Sequence, residues 1–462
     1  MLGVLPLSPA TAARRPNVIL IVADDLGYGE LGCYGQTTMQ TPHLDQMARE
    51  GLRFTQFYAG ATVCAPSRSV LMTGQHTGHT RVRGNAGRIR PEIQALLPED
   101  ITVAEVLQGA GYSTSLVGKW GLGNVGAAET GLPRRQGFDS FYGFLSQHHA
   151  HNHFPDFLWR NETREPLPNS LVAVGTEGAG YATNALVYAD DLFADEVLAQ
   201  VSQRPDRPFF IFWSLVVPHA NNERRFARHD GAEVPDYGPY TDRPWSDPNR
   251  GHAAMITRMD GYVGRLLAEL RRQKLYRTTL VLFTSDNGPH RESNHDPDQL
   301  FHPSGTVRGY KRELTDGGIR VPLLAWWPGT IRAGRTTGQV SYFGDFMATL
   351  AELAGAPVPA GLDSLSLVPT LRSRPRQQPN HPYLYWEFHE SGFNQAVLLD
   401  GRWKALRLGQ TNASIVLYDL QQDPRELTDR SAREPALVER AQELFRTART
   451  DSPDWPVPPA KP

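Results

Sequence analysis

Four short runs rich in β-branched or aromatic residues, three almost wholly apolar and one, 112–117, carrying Ser113-Thr114-Ser115, constrain the fold of this chain more than any other feature. Residues 17–23 run into Asp24-Asp25, 112–117 into Gly118-Lys119, 209–217 into Pro218-His219, and 279–284 into Ser285-Asp286-Asn287-Gly288. Runs without polar alternation read as strands buried on both faces of a parallel sheet. Ligands of open α/β sheets bind beyond the carboxyl ends of the strands. Acids, a lysine and a histidine arriving there from four strands therefore point to one shared site. Helices are expected between the runs, over 44–50, 67–72, 102–110, 185–202 and 252–273. The last is the most regular, with Met255, Met259, Tyr262, Val263, Leu266 and Leu270 at helical spacing. The polar stretch 221–250, rich in Pro, Asp and Arg, reads as a rim loop or lid.

Linker composition at 373–379 marks a boundary. Beyond it, strands over 383–388, 396–399, 402–407 and 415–420, with a turn at Asp400-Gly401, and a helix over 435–448 predict a small antiparallel sheet carrying one helix. The expected organisation is a tail or residual signal over 1–15, a main domain over 16–372, a C-terminal α+β unit over 373–452 and a Pro-rich tail over 453–462. The composition of the 462 residues, 40% hydrophobic and 21% charged, suits folded domains of this size. With 47 Lys and Arg against 49 Asp and Glu, the chain lacks the basic surface that non-specific nucleic-acid binding needs. The run 209–217 is interrupted by Ser214 and falls far short of the roughly 20 residues of a membrane span, so none is expected. Two cysteines, Cys33 and Cys64, cannot make a disulfide framework, although one pairing stays open. The N-terminus has an apolar stretch, Leu2 to Leu7, and small residues Thr11-Ala12-Ala13, without the basic start of a secretory signal.

Cys64-Ala65-Pro66-Ser67-Arg68 leads into Ser69-Val70-Leu71-Met72-Thr73-Gly74. Pro66 suits the first turn of a helix, which places Cys64 at a helix N-terminus with Arg68 one turn on. Orphan amides and a positive dipole favour an anion there. The Cys-x-Pro-Ser-Arg pattern with its Met-Thr-Gly end resembles the signature of the type I sulfatases, of the alkaline-phosphatase-like superfamily. In these enzymes a separate maturation enzyme oxidises the cysteine to Cα-formylglycine, and the resemblance implies that role for Cys64. It extends over nearly the whole chain and implies an α/β fold with a mixed, mostly parallel sheet flanked by helices, followed by a smaller antiparallel sheet plus helix. Asp24, Asp25, Asp286 and Asn287 match the family's metal ligands, joined by residue 64. All four offer hard oxygen donors, which favour Ca²⁺ over the more strictly octahedral Mg²⁺. Lys119, in Gly118-Lys119-Trp120-Gly121, and Lys311, in Gly309-Tyr310-Lys311, resemble the sulfate-holding lysines. His219 resembles the sulfate-contacting histidine.

One position departs from the family's common pattern. A histidine usually follows the Lys-Trp pair, whereas this chain has Gly121. A subset of bacterial enzymes, mostly similar to carbohydrate sulfatases, shares this glycine, the segment from Gln147 to Pro155, and Asn287-Gly288-Pro289-His290. Within it His151 is expected to fill the vacancy or touch a sugar, and His290 to contact substrate. The run His148-His149-Ala150-His151-Asn152-His153 also admits a zinc-site reading. The implied activity is hydrolysis of sulfate esters of a sulfated saccharide or an aryl sulfate, in a periplasmic or secreted setting. Two alternatives stand beside it: a formylglycine-dependent phosphodiesterase or phosphonate monoester hydrolase, and an inactive sulfated-glycan-binding protein.

Overall fold

Along the strand Asn17–Ala23 the side chains alternate between two apolar layers. Val18, Leu20 and Val22 join one buried cluster, and Ile19, Ile21 and Ala23 join the other. That alternation is the mark of a strand in the middle of a covered sheet. The computed structural model describes residues 15–86, 90–126, 129–175, 178–203, 206–390 and 392–459. It sets this strand inside a ten-stranded sheet, whose order from edge to edge is Arg335–Thr337, Leu52–Phe54, Leu323–Trp326, Thr279–Ser285, Asn17–Ala23, Phe209–Ser214, Ser113–Lys119, Ser140–Phe144, Phe157–Arg160, Thr163–Pro166. The five strands from Thr279–Ser285 to Ser140–Phe144 are parallel, and antiparallel pairs flank them on both sides. Ala23 pairs with Ser285, Val22 with Ser214, and Ser214 with Gly118. The carboxyl ends thus line up along one edge, and the residues that follow them leave the sheet together.

One face carries the helices Cys64–Thr73, Val103–Gly109 and Asp345–Ala354, through Val70, Leu107 and Met347 among others. The other carries Pro42–Glu50, Ala189–Ser202 and Asp247–Arg272, through Met47, Phe193 and Met259. A separate sheet, Tyr383–Phe388, Asn394–Leu399, Trp403–Arg407 and Val416–Asp419, is antiparallel throughout. It turns Leu384, Trp386 and Leu398 toward the main core. Its other face, with Tyr385, Val397 and Leu417, lies under Phe445 of the helix Pro435–Thr447. This is the expected mixed, mostly parallel α/β architecture with its smaller antiparallel companion.

Several local expectations change. The stretch 221–250 is not an open loop. Asn221 caps a helix, Asn222–Arg228, by accepting from the Arg224 amide at 2.9 Å, and Arg224 pairs with Asp230 at 2.7 Å. The long helix begins at Asp247, because Pro248 is tolerated in a first turn whose polar residues hid it from apolar periodicity. The helix expected from 185 begins at Ala189. The strand read to 217 ends at Ser214, where the chain turns toward the site. The Pro-rich tail is docked at Trp455, which is buried beside His389. Residues 1–14 of the expected N-terminal tail and 460–462 of the C-terminal one lie outside the described residues. Among the described residues Cys33 and Cys64 are both free thiols, and no helix is long and apolar enough to cross a membrane.

Candidate active site

Asp24 and Asp25 follow directly on the central strand, Asp286 and Asn287 on its neighbour, and Lys119 ends the strand Ser113–Lys119. Cys64 opens the helix Cys64–Thr73, all ten residues of which are buried. Its Sγ donates to Asp24 Oδ1 at 3.3 Å. Arg68, 1% exposed, is the cross-tie. Its Nε and Nη2 donate to Asp286 Oδ2 at 3.2 and 2.8 Å, Nη2 lies 3.5 Å from Asp24 Oδ2, and Nη1 donates to the Lys119 carbonyl at 2.9 Å and to Ser214 Oγ. The Lys119 ammonium donates to Asp24 Oδ2. That of Lys311 donates to Asp25 Oδ2 at 2.8 Å, to His219 Nε2 at 3.1 Å and to Glu292 Oε2 at 3.4 Å. The His219 Nδ1 donates to the Ala220 carbonyl at 2.7 Å, which leaves Nε2 toward Lys311 and 3.5 Å from Asp25 Oδ2. Six chain segments far apart in sequence thus meet within one set of contacts.

Burial without neutralisation would be costly here, and the titration of the groups reflects it. Burial pushes the Cys64 thiol well above its ordinary value and the Asp24 carboxylate adds to the shift. The helix N-terminus does not prevail, and the unmodified thiol stays protonated. Burial opposes ionisation of Asp24, but the charges of Lys119, Arg68 and Lys311 hold it well below the usual carboxylate range. Asp286 is raised to about 7 by burial and by Asp24 and Asp25, against the pull of Arg68. Burial, with Lys311 beside it, keeps His219 neutral.

The donor set suits a hard divalent cation. Asn287 Nδ2 donates to Asp25 Oδ1 at 2.7 Å, and its Oδ1 is buried beside these carboxylates with no hydrogen-bond partner. A buried carbonyl oxygen without a donor is costly unless a cation takes it up.

Around this cluster lies a pocket of about 340 Å³ lined by Cys64, Lys311, His219, His151, Gln147 and others. His151 stacks on His219, with ring centroids 5.1 Å apart, and pairs with Glu223 at 3.0 Å. It does not fill the space above Gly121, where a Cβ would lie 2.1 Å from Gln147 Nε2; the glutamine amide occupies that space. His290 does not line this pocket. Its Nε2 donates to the Pro218 carbonyl at 3.0 Å and its Nδ1 accepts from the Glu292 amide at 2.9 Å, so the main chain occupies both nitrogens. The run 148–153 forms no metal-ligating cluster among the described residues: His149 packs on Phe157 and His153 is bonded to the His219 carbonyl. Sequence reasoning missed Ser214, Glu292 and Gln147. Ser214 had a signal, the one hydroxyl inside the run 209–217; Gln147 had one in opening the segment that resembles the bacterial subset, though no role was read for it; Glu292 had none.

A profile of the sulfatase family matches residues 16–356, and one for the C-terminal part of N-sulphoglucosamine sulphohydrolase matches 309–447. The chain is 34% identical over 457 residues to human arylsulfatase A, covering 90% of this chain and 83% of that one. It is 32% identical over 393 residues to the N-acetylgalactosamine-6-sulfatase of Sus scrofa, covering 82% and 70%. The crystal structure of Ps i-CgsB in complex with k-i-k-neocarrahexaose superposes with a TM-score of 0.77 at 24% identity, covering 96% of this chain and 95% of that one.

Proposed function

The chain belongs to the sulfatase family and is a sulfuric ester hydrolase. On that premise we propose that it releases inorganic sulfate from a sulfated carbohydrate, with Cys64, oxidised to Cα-formylglycine by a maturation enzyme, as the source of its nucleophile. The observation that carries this reading is the position of Cys64. It opens a buried helix, touches Asp24, and shares one pocket with Lys311 and His219. The likeness to an N-acetylgalactosamine-6-sulfatase supports the carbohydrate.

A hydrated formylglycine supplies an oxygen nucleophile and keeps a second hydroxyl, through which sulfate can be expelled and the aldehyde restored; neither cysteine nor serine offers this. Asp24, Asp25, Asp286 and Asn287, with residue 64, would hold Ca²⁺ in preference to Mg²⁺, and the bound ion would acidify the hydroxyl beside it and polarise the sulfate oxygens. The remaining work belongs to the chain's own side chains. Arg68 is locked by Asp286, Ser214 and the Lys119 carbonyl and so orients the oxygen at residue 64 without reorganising. Lys119 and Lys311 serve as point charges for the sulfate oxygens. His219 is fixed through Nδ1 by the Ala220 carbonyl. Its unprotonated Nε2 accepts from the Lys311 ammonium, so the proton that reaches the departing ester oxygen comes from Lys311, relayed through Nε2, which returns to the neutral ring as Lys311 is left neutral.

The test is coexpression with a maturation enzyme. The peptide containing residue 64 should lose about 18 Da, the difference between CH₂SH and CHO in the nucleophile precursor. The protein should then cleave nitrophenyl sulfate in preference to a phosphate diester or a phosphonate. Cys64→Ala should retain the fold and lose turnover. Normal sulfate release by that variant, or a preference for the phosphonate, refutes the proposal.

A further inference from the structure

Given that reaction, the part of the pocket away from the sulfate-holding residues has no assigned work, yet two of its buried polar atoms lack partners and an aromatic ring, with Arg225 over it at 5.7 Å, stands largely in solvent. Phe226, on the helix Asn222–Arg228, is 78% exposed, more than any other large apolar side chain among the described residues, and it lines the pocket together with Cys64. Gln147 is buried in the same lining, and its Nε2 donates to nothing. Glu390 Oε1 is likewise buried without a donor, while Oε2 sits 3.5 Å from Arg312 Nε.

Each orphan is costly alone, a wetted aromatic face and two unsatisfied polar atoms, and each is relieved by the same kind of ligand. A pyranose ring presents an apolar C–H face that stacks on an aromatic ring, hydroxyls that donate to a carboxylate, and oxygens that accept from an amide. We propose that Phe226, Gln147 and Glu390 form the subsite for the sugar ring that bears the sulfate ester, and that this ring carries no further charge. The second half of the proposal follows from the acids at the pocket. Glu223 and Glu390 line it, and among the described lining residues the Arg312 guanidinium is taken up by Glu292 and Glu390 and the Lys311 ammonium by Asp25 and Glu292, so a second sulfate or a uronate would face carboxylates there; Arg225, which lies over the Phe226 ring and donates to Asn294, stands outside the lining. Gln147 reaches its place because residue 121 is a glycine at φ +84°, with no Cβ to displace the amide. A primary amide takes up no proton at working pH, so Gln147 binds and orients and does not replace the missing histidine as a base.

The experiment uses the full, formylglycine-bearing protein, a panel of monosulfated hexoses and N-acetylhexosamines, glucosamine N,6-disulfate, and nitrophenyl sulfate. Phe226→Ala, at an exposed position that the fold does not need, and Glu390→Gln should each raise KM for the best monosulfated sugar about tenfold. Both should leave kcat nearly unchanged and affect nitrophenyl sulfate much less. Gly121→Ala should reproduce the KM effect by pushing the Gln147 amide aside. The proposal is overturned if KM for the sugar does not move in either variant, if nitrophenyl sulfate suffers equally, if the disulfate is the better substrate, or if the wild type cleaves nitrophenyl sulfate but no sugar of the panel. Absence of sulfate release from every substrate, nitrophenyl sulfate included, refutes instead the sulfatase reading on which this subsite rests, and the subsite falls with it.

Discussion

Arg68 illustrates how one residue organises a charged interior. Its fork spans Asp286 and Asp24, its remaining nitrogen holds the Lys119 carbonyl and Ser214, and a lysine in its place would reach only some of these partners. The acids gathered around it are tolerable because Arg68, Lys119 and Lys311 counter them inside the same buried volume. The orphan Asn287 Oδ1 gives the proposed cation site a test at this scale. Asn287→Ala should weaken calcium affinity by about 10- to 100-fold or more. That change is read as a lower metal content by elemental analysis and as a smaller rise in Tm on adding calcium. Unchanged metal content would remove Asn287 from the ligand set. The reading of Asp24, Cys64, Arg68 and Lys119 as members of one site was legible because each sits in a motif or at the end of an apolar run. Gln147 opens a segment that the sequence marked by resemblance but without a role for the glutamine, and Glu390 lies in a segment without pattern; their unpartnered atoms draw notice.

Elements come next. Strand starts followed from the runs read in the sequence, although the run 209–217 overshot the strand Phe209–Ser214, whereas helix starts made of polar residues did not follow, as the first turn of Asp247–Arg272 shows. The helix Val103–Gly109 has the opposite character. Thr102 accepts from the Glu105 amide while the Glu105 carboxylate accepts from the Thr102 amide, a reciprocal cap readable as Thr-x-x-Glu. Thr102→Ala should cost about 1–2 kcal/mol in urea unfolding and leave kcat unchanged, because the helix packs on the face of the sheet and supplies no group to the pocket. A kcat loss in a stably folded variant would show that this helix is coupled to the site. Where two central strands meet, Gly118 has a different function. A Cβ there would lie 1.8 Å from the Ser214 carbonyl oxygen, so the strands that deliver Lys119 and Ser214 can run side by side only over a glycine.

At the scale of the whole molecule, an apolar cluster and two buried ion pairs, Arg83–Glu387 and Lys404–Asp316, join the main sheet's layer to the C-terminal sheet. Glu387 accepts from Arg83 at 2.9 Å, from Arg449 at 2.9 Å and from His389 at 3.0 Å, and Lys404 reaches Asp316 at 2.8 Å. Burial alone would raise Glu387, but the His389, Arg83 and Arg449 contacts hold it at about 2. A carboxylate depressed on folding adds stability above its ordinary value of 4.5, and that contribution is lost as pH falls toward about 2. The stability gap between wild type and Glu387→Gln, measured by urea unfolding, should therefore be full at pH 6 and shrink below pH 4.5. A gap independent of pH would contradict the assignment. Because Leu384, Trp386 and Leu398 belong to the main apolar cluster, a chain cut after residue 372 should be recovered in the insoluble fraction. A soluble, cooperatively unfolding fragment would show that the two parts have independent cores.

Much of this protein was legible in one dimension. Four of the five parallel strands, the small antiparallel sheet, the cysteine at its helix start and the paired acids all leave local marks, because burial on two faces, helix capping and metal-ligating chemistry each demand particular residue types at neighbouring positions; the fifth, Ser140–Phe144, was not read from the sequence. Contacts across the chain are of another kind. That Gln147 covers Gly121, that His151 stacks on His219 while the main chain occupies both nitrogens of His290, and that the stretch after Asn221 brings Phe226 to the pocket depend on how separate segments pack. No local spacing encodes which side chain will occupy a volume opened by another some 26 or more positions away, a distance set by the Gly121 to Gln147 interval. Packing decides it, since only the assembled sheet and its covering helices determine which polar atoms find partners and which wait for a ligand.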